Sequence, residues 1–164
     1  MKWRPLLPLF LAFAIAQGEG YAQQYVSPLS ANAQEFIKWG GSWFESNKSR
    51  LKSKRIERYW DSNCGNQHEI RTGTIPGVQA KYVYCPTEKT TYLMSLSATS
   101  KALEFPFGIR IPCTAQDIEK GLGRPSKSTL KQIEFEEGDL FIDSATFYLK
   151  NGQLFKVVWY FELD

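Results

Sequence analysis

Ala145-Thr-Phe-Tyr-Leu-Lys-Asn-Gly-Gln-Leu-Phe-Lys-Val-Val-Trp159 is the stretch that decides the fold. Asn151-Gly152 is the strongest short hairpin signal, because both residues tolerate the positive φ of a two-residue turn. Apolar runs flank it at 140–149 and 154–163. A regular turn fixes the register of the two strands. It pairs Tyr148 with Phe155, Thr146 with Val157, Ser144 with Trp159, Ile142 with Phe161 and Leu140 with Leu163 on one face. That face is almost wholly apolar and is expected to be core. The opposite face pairs Leu149 with Leu154, Phe147 with Lys156, Ala145 with Val158, Asp143 with Tyr160 and Phe141 with Glu162. A sheet with one dry and one amphipathic face takes helices on the first and solvent or a partner on the second. Phe141, Asp143, Phe147, Lys156, Tyr160 and Glu162 are therefore the expected partner-binding residues.

Upstream the pattern is a β-meander. Strands are expected at 55–60, 68–72, 78–85 and 90–97, with Pro76-Gly77 placed for a type II turn. A further strand at 129–135 ends in the turn Glu136-Glu-Gly-Asp139. Two helices accompany the strands. Residues 32–44 repeat apolar side chains at helical spacing, with Asn32 as cap and Glu35 completing a capping box. The Gly40-Gly41 pair inside it either permits close packing on a sheet or ends the helix early. Thr114-Ala-Gln-Asp117 caps a second helix over 115–122, which Gly121 or Gly123 ends before Pro125. The expected fold is α+β: an antiparallel sheet, made of a meander and a C-terminal hairpin, with short helices packed on one face.

Thr-Ala-Gln-Asp-Ile-Glu-Lys-Gly-Leu-Gly-Arg-Pro (114–125), then strands, then the hairpin at 145–159, resembles the module of β-lactamase-inhibitor-like proteins and small outer-membrane assembly lipoproteins. The likeness covers 107–164. Ile111-Pro112-Cys113 stands where that family has a glycine-methionine start, and the lipoprotein cysteine is absent. The resemblance implies helices on an antiparallel sheet and protein binding through the open sheet face. It carries over no catalytic residue.

Residues 1–22 read as a cleaved signal peptide. Lys2 and Arg4 precede an apolar run at 6–16, and Gly20 and Ala22 have the spacing a signal peptidase reads. That run is too short to span a bilayer. The remainder, 23–164, is expected to be a single periplasmic or secreted domain, not a lipoprotein. Losing Lys2, Arg4 and Glu19 takes the formal net charge from +3 to +2, too little to imply nucleic acid. In an oxidising compartment three cysteines invite pairing. Cys64 with Cys85 is the favoured disulfide, adding about 3 kcal/mol on the chain-entropy account, and Cys85 with Cys113 competes.

Chemistry-bearing groups are few. His68 is the single histidine and has no metal-ligand spacing around it, so no metal or cofactor is expected. Cys113 precedes a helix N-terminus, where the dipole lowers a thiol pKa, and with His68 and an acid it would suit a thiol hydrolase. The alternative is a buried or bonded cysteine, and nothing in the sequence brings those groups together. Glu134, Glu136, Glu137 and Asp139 imitate glycosidase carboxylates but read better as a solvated turn. Lys48, Arg50, Lys52, Lys54 and Arg55 begin a basic run whose first four alternate. As a strand these would aim cations at one side, toward an acidic partner or anionic glycan; as a linker they face water. The expectation is a non-catalytic protein that occludes a toxin or hydrolase of the cell envelope, as an inhibitor or immunity protein. An envelope-assembly scaffold and a thiol enzyme using Cys113 are the alternatives.

Overall fold

The computed structural model describes residues 29–61, 66–101, 103–138 and 143–162. The expected signal peptide, Cys64, Asp139, Leu140, Phe141, Ile142 and Leu163 lie outside these. The described chain runs α1 (Ala31–Asn47), β1 (Lys52–Asp61), β2 (Asn66–Ile75), β3 (Val78–Cys85), β4 (Thr90–Ala98), α2 (Ala115–Leu122), β5 (Lys127–Ser128), β6 (Gln132–Glu137), β7 (Asp143–Lys150) and β8 (Gln153–Tyr160). The strands make one sheet in the order β1-β2-β3-β4-β8-β7-β6-β5, and each neighbouring pair is antiparallel. The fold is α+β. Meander and hairpin are joined where β8 docks on β4, with Leu96 opposite Trp159.

Helix α1 lies over β4, β6 and β7. Its cap is Ser30, whose hydroxyl accepts from the Ala33 amide, not Asn32 with Glu35. Asn32 instead donates to the Gly121 carbonyl at 2.9 Å, and Ser30 Oγ to that of Leu122. The start of α1 thereby satisfies carbonyls that the end of α2 leaves orphaned. Thr114 caps α2 as expected and closes a capping box with Asp117, and Gly123, at φ 84°, ends the helix. Gly40-Gly41 does not interrupt α1: Gly40 is where the helix and the sheet meet. The core beneath α1 is aromatic, with Phe36 between Trp159 (5.3 Å) and Phe147 (5.2 Å) and Phe135 edge-on to Phe147. The Trp159 indole donates to the Phe36 carbonyl at 3.1 Å, so its buried N–H is satisfied.

The hairpin register departs from expectation by one residue. Leu149 faces Leu154 as expected, but the next pair is Tyr148 with Lys156, and Phe155 is extra. This bulge displaces all later pairs, so Phe147 faces Val157 and Ala145 faces Trp159. On β7 the two faces are exchanged. Phe147 and Ala145 are fully buried under α1, while Ser144, Thr146 and Tyr148 lie on the helix-free face. The turn residues were readable, but the bulge beyond them carries no mark in the sequence; burying Phe147 in place of Tyr148 is what favours it.

Candidate functional site

The helix-free face of β4, β8, β7 and β6 carries two tyrosines on a polar frame. Tyr160 sits between Ser95 on β4 and Ser144 on β7, and Tyr148 sits between Lys156 on β8 and Gln132 on β6. Alternation along the strands aims both outward. Burial, and then hydrogen bonding to Tyr160, push the Tyr148 phenol above its ordinary pKa. Between their rows on the same face lie Thr146 and Val158, which are only 1% and 5% exposed. Lys156 Nζ stands 5.6 Å from the centre of the Tyr148 ring. On β6, Glu134 accepts from Thr146 Oγ1 at 3.5 Å, and Lys127 bridges to Glu136 at 2.8 Å and Glu134 at 3.9 Å. The Glu136 hydrogen bond holds the Lys127 ammonium above its usual pKa. These carboxylates are thus engaged by a lysine and a threonine.

Among the expected partner-binding residues, Lys156 and Tyr160 are on this face, Tyr160 44% exposed. Phe147 is not: it is 0% exposed and cannot reach a partner. Asp143 lies at the start of β7 and accepts from the Glu162 amide at 3.2 Å. Tyr148 replaces Phe147 as the aromatic centre, and only the bulge, invisible in the sequence, concealed it.

The basic run does not form one row of cations. Residues 48–50 are a 3-10 turn, in which Lys48 pairs with Glu45 and Arg50 donates to Asn47. On β1, Lys52 and Lys54 point to the helix-free face, opposite Thr74 and Thr72. Ser53 and Arg55 point the other way, Ser53 sharing a 2.7 Å hydrogen bond with the Tyr82 hydroxyl. Arg55 there joins Arg58 and Arg71 around Glu69.

Cys113 lines a cleft of about 340 Å³ with Phe107, Arg110, Asp117 and Lys120. Cys113 is 8% exposed, and burial pushes its thiol pKa up, against the lowering expected from the helix terminus. Asp117, capping α2 through Thr114, adds to that rise. His68 sits on β2 beside Tyr59, ring centres 5.5 Å apart, and does not line this cleft. No thiol–imidazole arrangement is assembled there. Cys85 and Cys113 are both buried free thiols, so neither the favoured pairing of Cys85 with Cys64 nor its competitor with Cys113 is present. Among the described residues no cluster of His, Cys, Asp or Glu is arranged to hold a metal ion, and no helix is long and apolar enough to cross a membrane.

No family model, curated protein or solved structure matches the chain. The likeness of 107–164 to the β-lactamase-inhibitor module rests on its residues alone.

Proposed function

We propose that this chain is a non-catalytic binding domain of the periplasm or extracellular space that occludes a protein partner with the helix-free face of its sheet. An inhibitor or immunity protein directed at an envelope toxin or hydrolase is the form that fits best. The observation that carries the reading is the placement of Tyr148 and Tyr160 on the same helix-free face of a rigid sheet, Tyr160 44% exposed, beside the ion-paired Lys127 and Glu136. Tyrosine suits such a role because it offers a large apolar area and a polar tip while losing little side-chain freedom. A dry aromatic centre with a charged rim is the common anatomy of protein interfaces.

The test is capture from envelope extract with wild-type chain, a Tyr148→Ala/Tyr160→Ala variant and a Lys52→Gln/Lys54→Gln variant as baits. Loss of a specific partner from the tyrosine variant alone supports the reading. Equal capture by all three baits, each verified as folded by its melting curve, overturns it.

A further inference from the structure

We propose that Arg55, Arg58 and Arg71 form a binding site for the anionic groups of a saccharide chain, on the side of the sheet opposite the tyrosine pair. Arg55 lies directly across from Arg71 and Arg58 across from Glu69, all on one face of β1 and β2. Facing guanidiniums repel, so fold stability alone does not favour this placement. Glu69, its side chain only 7% exposed, offsets part of the repulsion. It accepts from Arg71 Nε and Nη2 at 2.9 and 2.7 Å and from Arg58 Nε at 2.9 Å, while Arg55 Nη1 stands 3.6 Å away. Among the described residues, one carboxylate ion-paired with three guanidiniums leaves two positive charges unmatched.

The division of labour among the arginines points to a ligand. Arg71 is held from both sides, by Glu69 and by the Tyr84 ring 3.9 Å from its guanidinium carbon. Arg58 spends only Nε on Glu69, and Arg55 reaches it only through the 3.6 Å ion pair of Nη1, so the Nη groups of both make no hydrogen bond to Glu69. Both side chains are about half exposed. A planar fork of this kind matches the paired oxygens of carboxylate, phosphate or sulfate. Trp60 follows on the same face, opposite Gln67, and is 67% exposed. A flat apolar ring beside oxyanion donors suits the C–H face of a sugar. Arg55 to Trp60 spans roughly 15 Å of extended strand, room for a short oligosaccharide rather than a lone ion.

Calorimetric titration of the full chain tests this with heparin, polygalacturonate and a phosphate-bearing teichoic acid as charged glycans. Dextran, poly-glutamate and inorganic phosphate serve as comparators. At least one charged glycan is expected to bind while dextran does not. Arg55→Gln/Arg58→Gln should weaken that binding about tenfold or more, as lost charge-assisted hydrogen bonds do. Lys52→Gln/Lys54→Gln removes the same charge from the other face of the same strand and should leave affinity nearly unchanged. Trp60→Ala should weaken glycan binding without affecting inorganic phosphate. The proposal is overturned if no charged glycan binds, if the lysine variant loses as much as the arginine variant, or if poly-glutamate binds as tightly as any glycan. If the double arginine variant melts early, Arg55→Gln alone carries the comparison, since Arg55 makes no hydrogen bond to Glu69.

Discussion

The indole of Trp159 occupies the space that a side chain on residue 40 would need. A Cβ on Gly40 would stand 2.6 Å from Trp159 Cδ1, well inside van der Waals contact, whereas one on Gly41 would meet only the Phe161 ring at 3.7 Å. Two adjacent glycines thus have different reasons to be there. Gly40 sets how close α1 lies to the sheet.

Gly40→Ala should therefore destabilise the protein by about 1–3 kcal/mol through overpacking, despite the better helix propensity of alanine. Gly41→Ala should be neutral or stabilising by up to about 1 kcal/mol. Urea unfolding of the two variants checks this; equal destabilisation would mean that Trp159 yields without cost.

Deletion of Phe155 removes the extra residue of the β7–β8 bulge, leaving Leu149–Leu154 followed directly by Tyr148–Lys156. All other side chains keep their faces, so the loss should stay within about 2 kcal/mol. Phe147→Ala, by contrast, opens a cavity between Phe36 and Phe135 and should cost about 3–5 kcal/mol. Thermal melting compares them, and a stable Phe147→Ala protein would contradict the register described above.

That register is also where the sequence ceased to be legible. The strands, the Asn-Gly turn, the Thr114–Asp117 cap and the apolar face of α1 all follow from local signals, because each is written within a few neighbouring residues. The Phe155 bulge is not local: it is selected by which of Phe147 or Tyr148 packs better against Phe36 and Trp159. The sequence pattern marks the candidate face as a face and puts Lys156 and Tyr160 on it, as the structure does, but exchanges its β7 residues. The arginine cluster was less legible still. Arg55 and Arg58 were visible in a basic run, yet their partners Glu69 and Arg71 come from another strand. The Ile56 bulge, set between Arg55 and Glu57, is what brings Arg58 onto the same face as Arg55.

Glu69 predicts an acid limb in the stability profile. Hydrogen bonds from Arg71 and then Arg58 hold its carboxyl below the ordinary value of 4.5, against an opposing contribution from desolvation. The unfolded chain takes up the proton first as pH falls. The stabilisation is therefore complete above that ordinary value and lost as pH drops through the folded pKa. Glu69→Gln should be less stable than wild type at about pH 7 and should lose less stability on going to about pH 3. Urea midpoints at the two pH values decide it; parallel losses would separate Glu69 from the acid limb.

Cys113 should behave as an inert thiol. Being buried, with its pKa above the usual 9.0, it is expected to resist alkylation in the native protein at neutral pH and to react fully in denaturant. Site mapping of the label by mass spectrometry distinguishes it from Cys64 and Cys85. Rapid native labelling at Cys113 would reopen the thiol-enzyme alternative.

Strand β1 is also a rim. Ten residues long, it ends the described sheet on one side and bears Ile56 at 59% exposure. A free rim of that length is a template onto which another copy could add its own strand. Lys52, Lys54, Arg55 and Arg58 line it with like charge, and the Ile56 bulge breaks its flatness. The insulation is thus largely electrostatic, and it thins as salt shortens the Debye length to about 3 Å near 1 M. In concentrated brine, two copies of this protein should meet rim to rim and close as pairs before they salt out as globules.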